Sequence, residues 1–411
     1  MKFWRNVTQD LSDDVRQYML VTGNYWAFTL TDGALRMLVV LHFHQLGYSP
    51  LQIAMLFLFY EFFGVVTNLV GGWLGARLGL NKTMNIGLLL QILALGALLV
   101  PTSLLTVPWV MTAQAVSGIA KDLNKMSAKS AIKSLVAKGE DGKLYRWIAV
   151  LTGSKNTLKG VGFFMGGLLL ALLGFQGAIL LMALMLFAVW IFSLLKLKQD
   201  LGRSKAKPKF SQIFSKSAAI NYLSAARMFL FGARDVWFVV ALPVYLSSQF
   251  DWSHTFVGGF LALWIIGYGI VQTLAPKITG RKTGNIPTGN TAFSWTLILA
   301  VIPVLIASAL YFNVSPHIAL LGGLLLFGVI FAINSSLHSF LIVHMASDDG
   351  VSLDVGFYYM ANAMGRLIGT VLSGWVYQAY GLEMCLMISA MFVVIAAVLS
   401  LLIPKPASLQ T

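Results

Sequence analysis

Twelve long apolar runs are the feature of this sequence that most constrains its fold. Each run is near or above the ~20 residues that a helix needs to cross the ~30 Å hydrocarbon layer of a bilayer. A helix satisfies its own backbone polar groups in lipid, so such runs favour helices over other local structures. The sequence therefore predicts an all-α polytopic membrane protein with 12 transmembrane helices. The predicted spans are 18–46, 50–78, 83–102, 106–134, 143–174, 176–198, 215–247, 253–278, 287–311, 316–346, 350–380 and 382–404.

Composition excludes several other classes of protein. Of the 411 residues 58% are hydrophobic and 11% charged, which is far from the composition of a soluble domain. The first run is too long for a cleavable signal, so we expect the first helix to direct its own insertion. Cys385 is the single cysteine, and we expect no disulfide, metal or cofactor. The net charge is +14, but no basic domain carries it, so we expect a lipid bilayer and a small molecule as partners, no nucleic acid, and a monomer.

The distribution of Lys and Arg between the runs predicts the orientation of the chain. Every second connection lacks Lys and Arg, whereas the others are basic. Both termini and the long central connection are therefore expected on the cytoplasmic side. The basic residues that carry this prediction outside the central connection are Arg77, Lys82, Lys133, Lys138, Lys143, Arg146, Lys277, Arg281 and Lys282.

The polar central segment 199–214 indicates a cytoplasmic linker between two six-helix bundles, 1–198 and 215–411. An offset of 200 residues places Arg77 on Lys277 and Lys82 on Lys282, in equivalent connections. This correspondence is typical of two bundles related by a pseudo-twofold axis.

Lys155 and Lys159 lie about midway through the fifth run, where a lysine costs about 2.5–3.5 kcal/mol and therefore usually faces a water-filled path. An offset of 207 residues places Lys159 on Arg366 in the eleventh run. The two bundles are therefore predicted to supply matched cations to a central site. Gly162 and Gly166 continue the lysine face, and we expect them to allow close helix packing.

Arginines in the first and seventh runs extend this arrangement. Asp32 lies one helical turn from Arg36, which indicates either a neutralising pair between helices or, as we favour, a substrate-binding arginine whose acid orients it or carries a proton. Arg234 and Asp235 lie at a comparable position in the seventh run, and an arginine fork suits phosphate oxygens. Arg227, two turns earlier, is expected near the cytoplasmic mouth of the path.

The fourth run carries a stripe of lysines on one helix face. Lys121 and Lys125, together with Asp122, are predicted to face the cavity. Lys129 is expected to extend toward the cytoplasmic surface.

The central cations outnumber the central acids by three, so a cavity of this kind requires water or a multiply charged anion. The cations are Arg36, Lys121, Lys125, Lys155, Lys159, Arg234 and Arg366, and the acids are Asp32, Glu61, Asp122 and Asp235.

Uncharged and weakly acidic candidates have two interpretations each. Glu61 is a proton carrier or the partner of a lysine. His338 is a candidate for proton coupling, because histidine titrates near neutrality, or a satisfied interior histidine. Tyr25, Asn156 and Asn362 are candidate substrate contacts, with helix packing and interhelical hydrogen bonds as the alternatives.

The connection between the second and third runs resembles the signature of the major facilitator superfamily. Its glycines, leucine and basic residues are Gly72, Leu74, Arg77, Gly79 and Lys82. The signature has an acid where this chain has Ala76, so the resemblance does not extend to the charge relay of that loop. The resemblance implies a fold of two six-helix bundles.

Three longer runs, 25–37, 118–130 and 231–238, resemble the organoarsenical efflux permeases of bacterial arsenic-resistance operons. This resemblance implies a transporter in the inner membrane that exports 1-arseno-3-phosphoglycerate. It also implies a functional partnership with a glyceraldehyde-3-phosphate dehydrogenase, which makes the ester when it accepts arsenate in place of phosphate. Outside the cell the ester breaks down to arsenate and 3-phosphoglycerate.

Motifs of hydrolases, metalloproteases and nucleotide-driven pumps are absent from the sequence, so we expect a secondary transporter and not an enzyme. The alternative to an arsenical exporter is an antiporter of the same fold for another organic anion, phosphate ester or drug. In both cases a proton, a counter-anion or the substrate gradient drives transport by alternating access around the central cations.

Overall fold

The computed structural model describes residues 13–48, 56–137, 139–197, 209, 211, 217–252, 254–279 and 287–404. Within these ranges the regular structure is helical, as the apolar runs predict. The predicted linker 199–214 lies almost entirely outside the described residues, as do both termini and three of the orienting basic residues, Lys138, Arg281 and Lys282.

The described α-helices follow one another with short connections. They are α1 (Asp13–Gln45), α2 (Leu58–Leu78), α3 (Leu80–Ala97), α4 (Val107–Leu135), α5 (Asp141–Lys196), α6 (Ala218–Phe238), α7 (Ala241–Gln249), α8 (His254–Thr279), α9 (Gly289–Tyr311), α10 (Pro316–Met345) and α11 (Val351–Leu401). A 3₁₀ turn, Thr102–Leu104, precedes α4.

Two glycines divide the longest helices. Gly174 in α5 has φ 67° and ψ −179°, and Gly381 in α11 has φ 80° and ψ −177°. This region of backbone space is essentially restricted to glycine and costs another residue about 1–3 kcal/mol. Each of the two helices is therefore a pair of helical segments in series, with the break at the boundary that the apolar runs predict.

Six helices of the described part of the chain are long and apolar enough to cross a membrane. They are Asp141–Lys196, Ala218–Gln249, Phe256–Thr279, Gly289–Tyr311, Pro316–Met345 and Val351–Leu401. Helices α1, α2 and α4, which carry many of the ionisable candidates, are not among them. The total of twelve spans stays a prediction.

The described residues form two compact units. The first comprises Met1–Trp147, Leu158–Phe214 and Ala346–Gly356, and the second comprises Ile148–Thr157, Ser215–Met345 and Phe357–Thr411. Most of α5 thus belongs to the first unit, whereas one stretch of it packs within the second.

Close helix packing in the first unit confirms the expectation for the glycines of α5. A Cβ atom added at Gly33 in α1 would lie 2.8 Å from the main-chain oxygen of Lys159, and one added at Gly162 would lie 2.7 Å from that of Leu30. Backbones approach this closely only where side chains are very small. This contact fixes α1 against α5 at the level of two predicted site residues, Arg36 and Lys159.

The second unit has a core rich in aromatic rings. Trp237 of α6 lies edge-on to Phe327 of α10, with ring centroids 5.1 Å apart, and Phe327 stacks on Phe331 at 5.6 Å. Rings arranged in this way contribute about 0.5–1.5 kcal/mol per pair beyond their buried area. They provide a rigid apolar floor for the arginines of α6.

Candidate functional site

The first group of candidate residues, the Arg36 cluster, consists of Asp32 and Arg36 on α1 and Tyr60 and Glu61 on α2. Arg36 Nη2 lies 3.0 Å from Glu61 Oε1, with the two side chains 25% and 35% exposed. The guanidinium also lies over two rings, 5.1 Å from the centroid of Phe57 and 4.6 Å from that of Tyr60. The expected pairing of Arg36 with Asp32 is therefore wrong, because helix packing brings Glu61 to the arginine instead.

Asp32 is bonded to a tyrosine hydroxyl. Tyr60 Oη donates to Asp32 Oδ1 at 2.7 Å and is 3.0 Å from Oδ2, and both residues are buried. A hydrogen bond to a charged acceptor contributes about 1.5–3 kcal/mol. Asp32 therefore acts on Arg36 through the ring of Tyr60, which carries the hydroxyl at one end and lies under the guanidinium.

The lysines of α4 complete the cationic side of the first unit. Lys125 Nζ lies 2.6 Å from Asp122 Oδ1, and Lys121 Nζ lies 3.8 Å from Asp122 Oδ2. Lys121 Nζ also lies 3.8 Å from the ring centroid of Tyr60, so that ring contacts two cations. Lys129 is only 3% exposed, so the expectation that it extends to the surface is wrong.

Two further candidates of the first unit pack close to these helices. Lys159 is half-buried, and its Nζ lies 5.9 Å from the ring centroid of Phe163. Tyr25 is 2% exposed. Substrate contact by either residue stays a prediction.

The second group, the Asp235 triad, consists of Arg234 and Asp235 on α6 and Arg366 on α11. Arg234 Nε donates to Asp235 Oδ1 at 2.6 Å, and Arg366 Nε donates to Oδ2 at 3.2 Å. Asp235 is fully buried, whereas Arg366 is 32% exposed. One carboxylate thus holds two predicted substrate cations, and it neutralises only one of their two charges.

Asn156 and Lys155 belong to a chain of polar side chains in the second unit. Asn156 Nδ2 donates to Gln272 Oε1 at 2.5 Å, and Gln272 Nε2 donates to Tyr268 Oη at 2.9 Å. Lys155 Nζ donates to Asn156 Oδ1 at 3.3 Å. Asn156 therefore makes the interhelical hydrogen bond that was the alternative to substrate contact.

The sequence analysis misplaced Arg227. This residue is 3% exposed, and its Nε donates to Asn362 Oδ1 at 3.0 Å while Nη1 donates to the main-chain oxygen of Ser335 at 3.2 Å. Arg227 thus joins α6 to α10 and α11, and it is not at a mouth. Its seven-residue spacing from Arg234, which keeps both on one helix face, was the signal that could have identified it.

His338 lies on α10, one turn beyond Ser335. It is fully buried, and neither ring nitrogen has a hydrogen-bond partner among the described residues. The interpretation as a satisfied interior histidine is therefore wrong for this conformation, and proton coupling by His338 stays a prediction.

Cations over aromatic rings are common to both units. Arg36 and Lys121 lie on Tyr60 in the first, and Arg227 and Arg234 lie on Phe231 in the second. A ring face attracts a cation by about 0.5–2 kcal/mol without neutralising its charge. The cations therefore keep a net positive field that can attract an anion, while the rings reduce the cost of placing them in an apolar fold.

Comparisons with known proteins identify the fold. The sequence profile described as Major Facilitator Superfamily matches residues 21–336. No curated protein matched the chain.

Solved structures agree with the profile. A variant of the Escherichia coli fucose:proton symporter FucP superposes with a TM-score of 0.74 at 12% identity, covering 96% of this chain and 100% of the symporter. The human organic anion transporter MFSD10 (TETRAN) has a TM-score of 0.75 at 15% identity, covering 95% and 100%. A bacterial homologue of the iron transporter ferroportin, in an outward-facing state, has a TM-score of 0.73 at 16% identity, covering 93% and 98%. At these identities the likeness establishes the fold alone.

Proposed function

Because the chain belongs to the major facilitator superfamily, we propose that it is a secondary active transporter that exports 1-arseno-3-phosphoglycerate and so confers arsenate resistance. The protein is a membrane transporter of this family. Efflux, the arsenical substrate, the inner membrane, cytoplasmic termini and a twelve-helix fold are parts of the proposal. A glyceraldehyde-3-phosphate dehydrogenase would supply the ester.

The surplus of cations over acids is the observation that carries the proposal. In the first unit Arg36, Lys121, Lys125 and Lys159 face three acids, so one positive charge is uncompensated. In the second unit the Asp235 triad has a surplus of one, to which Arg227 adds another. An anion with a phosphate at one end and an acyl arsenate at the other supplies charge of the opposite sign.

The ion pair of Arg36 suggests how substrate binding is coupled to a second ion. Glu61 is 35% exposed and bonds Arg36 at 3.0 Å, so an arriving anion competes with this carboxylate for the guanidinium. A carboxylate displaced from its arginine binds a proton more readily. Exchange of the substrate anion with a proton or a counter-anion at Arg36 would then drive alternating access.

Transport into everted membrane vesicles tests the proposal. The dehydrogenase, its aldehyde substrate, NAD and arsenate generate the labelled ester outside the vesicles, and phosphate replaces arsenate in the control. We expect arsenate-dependent uptake that a proton gradient alters, with loss in Arg36→Gln and no change in Arg146→Gln, an exposed arginine on α5. Absence of uptake by folded, inserted protein would refute efflux of this ester.

The alternative is an antiporter for another organic anion, phosphate ester or drug. The cation clusters suit both candidates, so loss of transport in Lys159 or Arg366 variants does not separate them. Resistance of cells to arsenate does: the arsenical exporter confers resistance only when the dehydrogenase is co-expressed. Resistance without the dehydrogenase would favour the alternative.

A further inference from the structure

Arg227 is a buried cation without a carboxylate partner. It is 3% exposed, and none of the ion pairs among the described residues includes it. Taking a charge out of water costs several kcal/mol even after local relaxation, unless an opposite charge compensates it. The side chain therefore has a requirement for negative charge that its own unit does not meet.

The partners of Arg227 are neutral and hold the guanidinium in a defined orientation. Its two hydrogen bonds go to an amide oxygen of Asn362 and to the main-chain oxygen of Ser335. Its Cζ lies 3.9 Å from the ring centroid of Phe231 and 5.3 Å from that of Tyr358. These contacts fix the position of the charge and leave it uncompensated.

Arg234 is in a different situation although it lies on the same ring. Its Cζ is 4.9 Å from the centroid of Phe231, so the two guanidinium carbons are less than about 9 Å apart. Arg234 is already bonded to the buried carboxylate of Asp235. Of these two arginines, Arg227 therefore gains more from an incoming anion.

Two buried polar side chains near Arg227 also have no hydrogen-bond partner among the described residues. Ser224 Oγ lies one turn before Arg227 on α6, and His338 lies one turn after Ser335 on α10. Their residues are 1% and 0% exposed. An unsatisfied buried polar group costs about 1–3 kcal/mol, which a hydrogen bond to a ligand oxygen would recover.

We propose that Arg227, Ser224 and His338 form a binding site for one acidic group of the transported anion, and that Arg227 is its main contact in the second unit. The proposal rests on the proposed function in that the ligand is an organic anion. It adds that the ligand has two separate acidic groups, because the first unit provides its own cations at Arg36. The second group is the one that Arg227 binds.

Binding of two stable compounds to the purified protein in lipid nanodiscs tests this site. One probe is 3-phosphoglycerate, which has a phosphate and a carboxylate, and the other is glycerol 3-phosphate, which lacks the carboxylate. We expect wild type to prefer 3-phosphoglycerate. Arg227→Gln should weaken binding of 3-phosphoglycerate at least tenfold, change binding of glycerol 3-phosphate less than about threefold, and so remove the preference. Arg146→Gln is the matched control and should leave both affinities unchanged.

The loss of preference separates ligand binding from a bracing role between helices, which would weaken both probes equally. Retained preference in folded Arg227→Gln would overturn the site while the proposed function stands. Failure of wild type to bind either probe would overturn both. If Arg227→Gln does not fold, Arg227→Lys and Ser224→Ala replace it, and an unchanged preference in both would overturn the site.

Discussion

Replacing Asp235 by Asn should make the neighbouring arginines repel each other strongly enough to reverse the effect of a second substitution. In wild type, Asp235 accepts hydrogen bonds from Arg234 and Arg366 at 2.6 and 3.2 Å. Unit charges about 4 Å apart attract by roughly 4 kcal/mol at an effective dielectric constant of 20, and two cations roughly 6 Å apart repel by about 3 kcal/mol. The triad is therefore favourable only while the carboxylate is charged.

The substitution Asp235→Asn removes both attractions and keeps the repulsion, so we expect a loss of at least 3–5 kcal/mol, the usual cost of breaking a buried pair. Arg366→Gln in wild type removes one attraction and the repulsion, which nearly cancel, and solvent at the 32% exposed arginine reduces both. In the Asp235→Asn background the same change removes only the repulsion. Arg366→Gln should therefore stabilise the Asp235→Asn protein by about 1–3 kcal/mol, although it slightly destabilises or leaves unchanged the wild type.

The chain carries its own reporter for this measurement. Cys385 is the single cysteine, is fully buried, and lies in the core of the same unit as the triad. A thiol-reactive fluorogenic dye therefore reports the unfolding temperature of detergent-solubilised protein. Additive effects of the two substitutions, with no gain from Arg366→Gln in the Asp235→Asn background, would refute the electrostatic account.

Three further substitutions have defined outcomes. Gly33→Ala would place a methyl group 2.8 Å from a main-chain oxygen of α5 and should destabilise by about 1–3 kcal/mol, whereas Gly23→Ala, with nothing within 4 Å, should not; the thiol dye measures both. Gly174→Ala should cost about 1–3 kcal/mol in the same assay, because φ is 67°. Tyr60→Phe keeps the ring but loses the hydroxyl that bonds Asp32, so vesicle transport should fall about tenfold or more with a stability loss of about 1–3 kcal/mol.

Local features of the sequence predicted the helical fold and its punctuation. An apolar run long enough to cross a bilayer has one stable local structure, and a glycine at its end permits the backbone to reverse direction. For this reason the breaks at Gly174 and Gly381 fall at predicted boundaries. The close packing of Gly162 is predictable for the same reason, since the lack of a side chain is a property of the residue itself.

Partners of the charged residues were harder to predict. Sequence spacing favoured Asp32 for Arg36, but the packed helices bring Glu61 to the arginine and give Asp32 to Tyr60. Neighbours along one helix are limited to residues three or four apart, whereas a neighbouring helix can present any of its residues.

The amino-acid sequence alone determined that this protein is helical, membrane-embedded and rich in uncompensated interior cations, because hydrophobicity, chain length and charge are local properties. Tertiary structure alone decided which acid neutralises which cation and left Arg227 buried against neutral oxygens. The physical reason is that an ion pair depends on distances of a few ångströms between side chains, and those distances exist only after helices far apart in the chain have packed together.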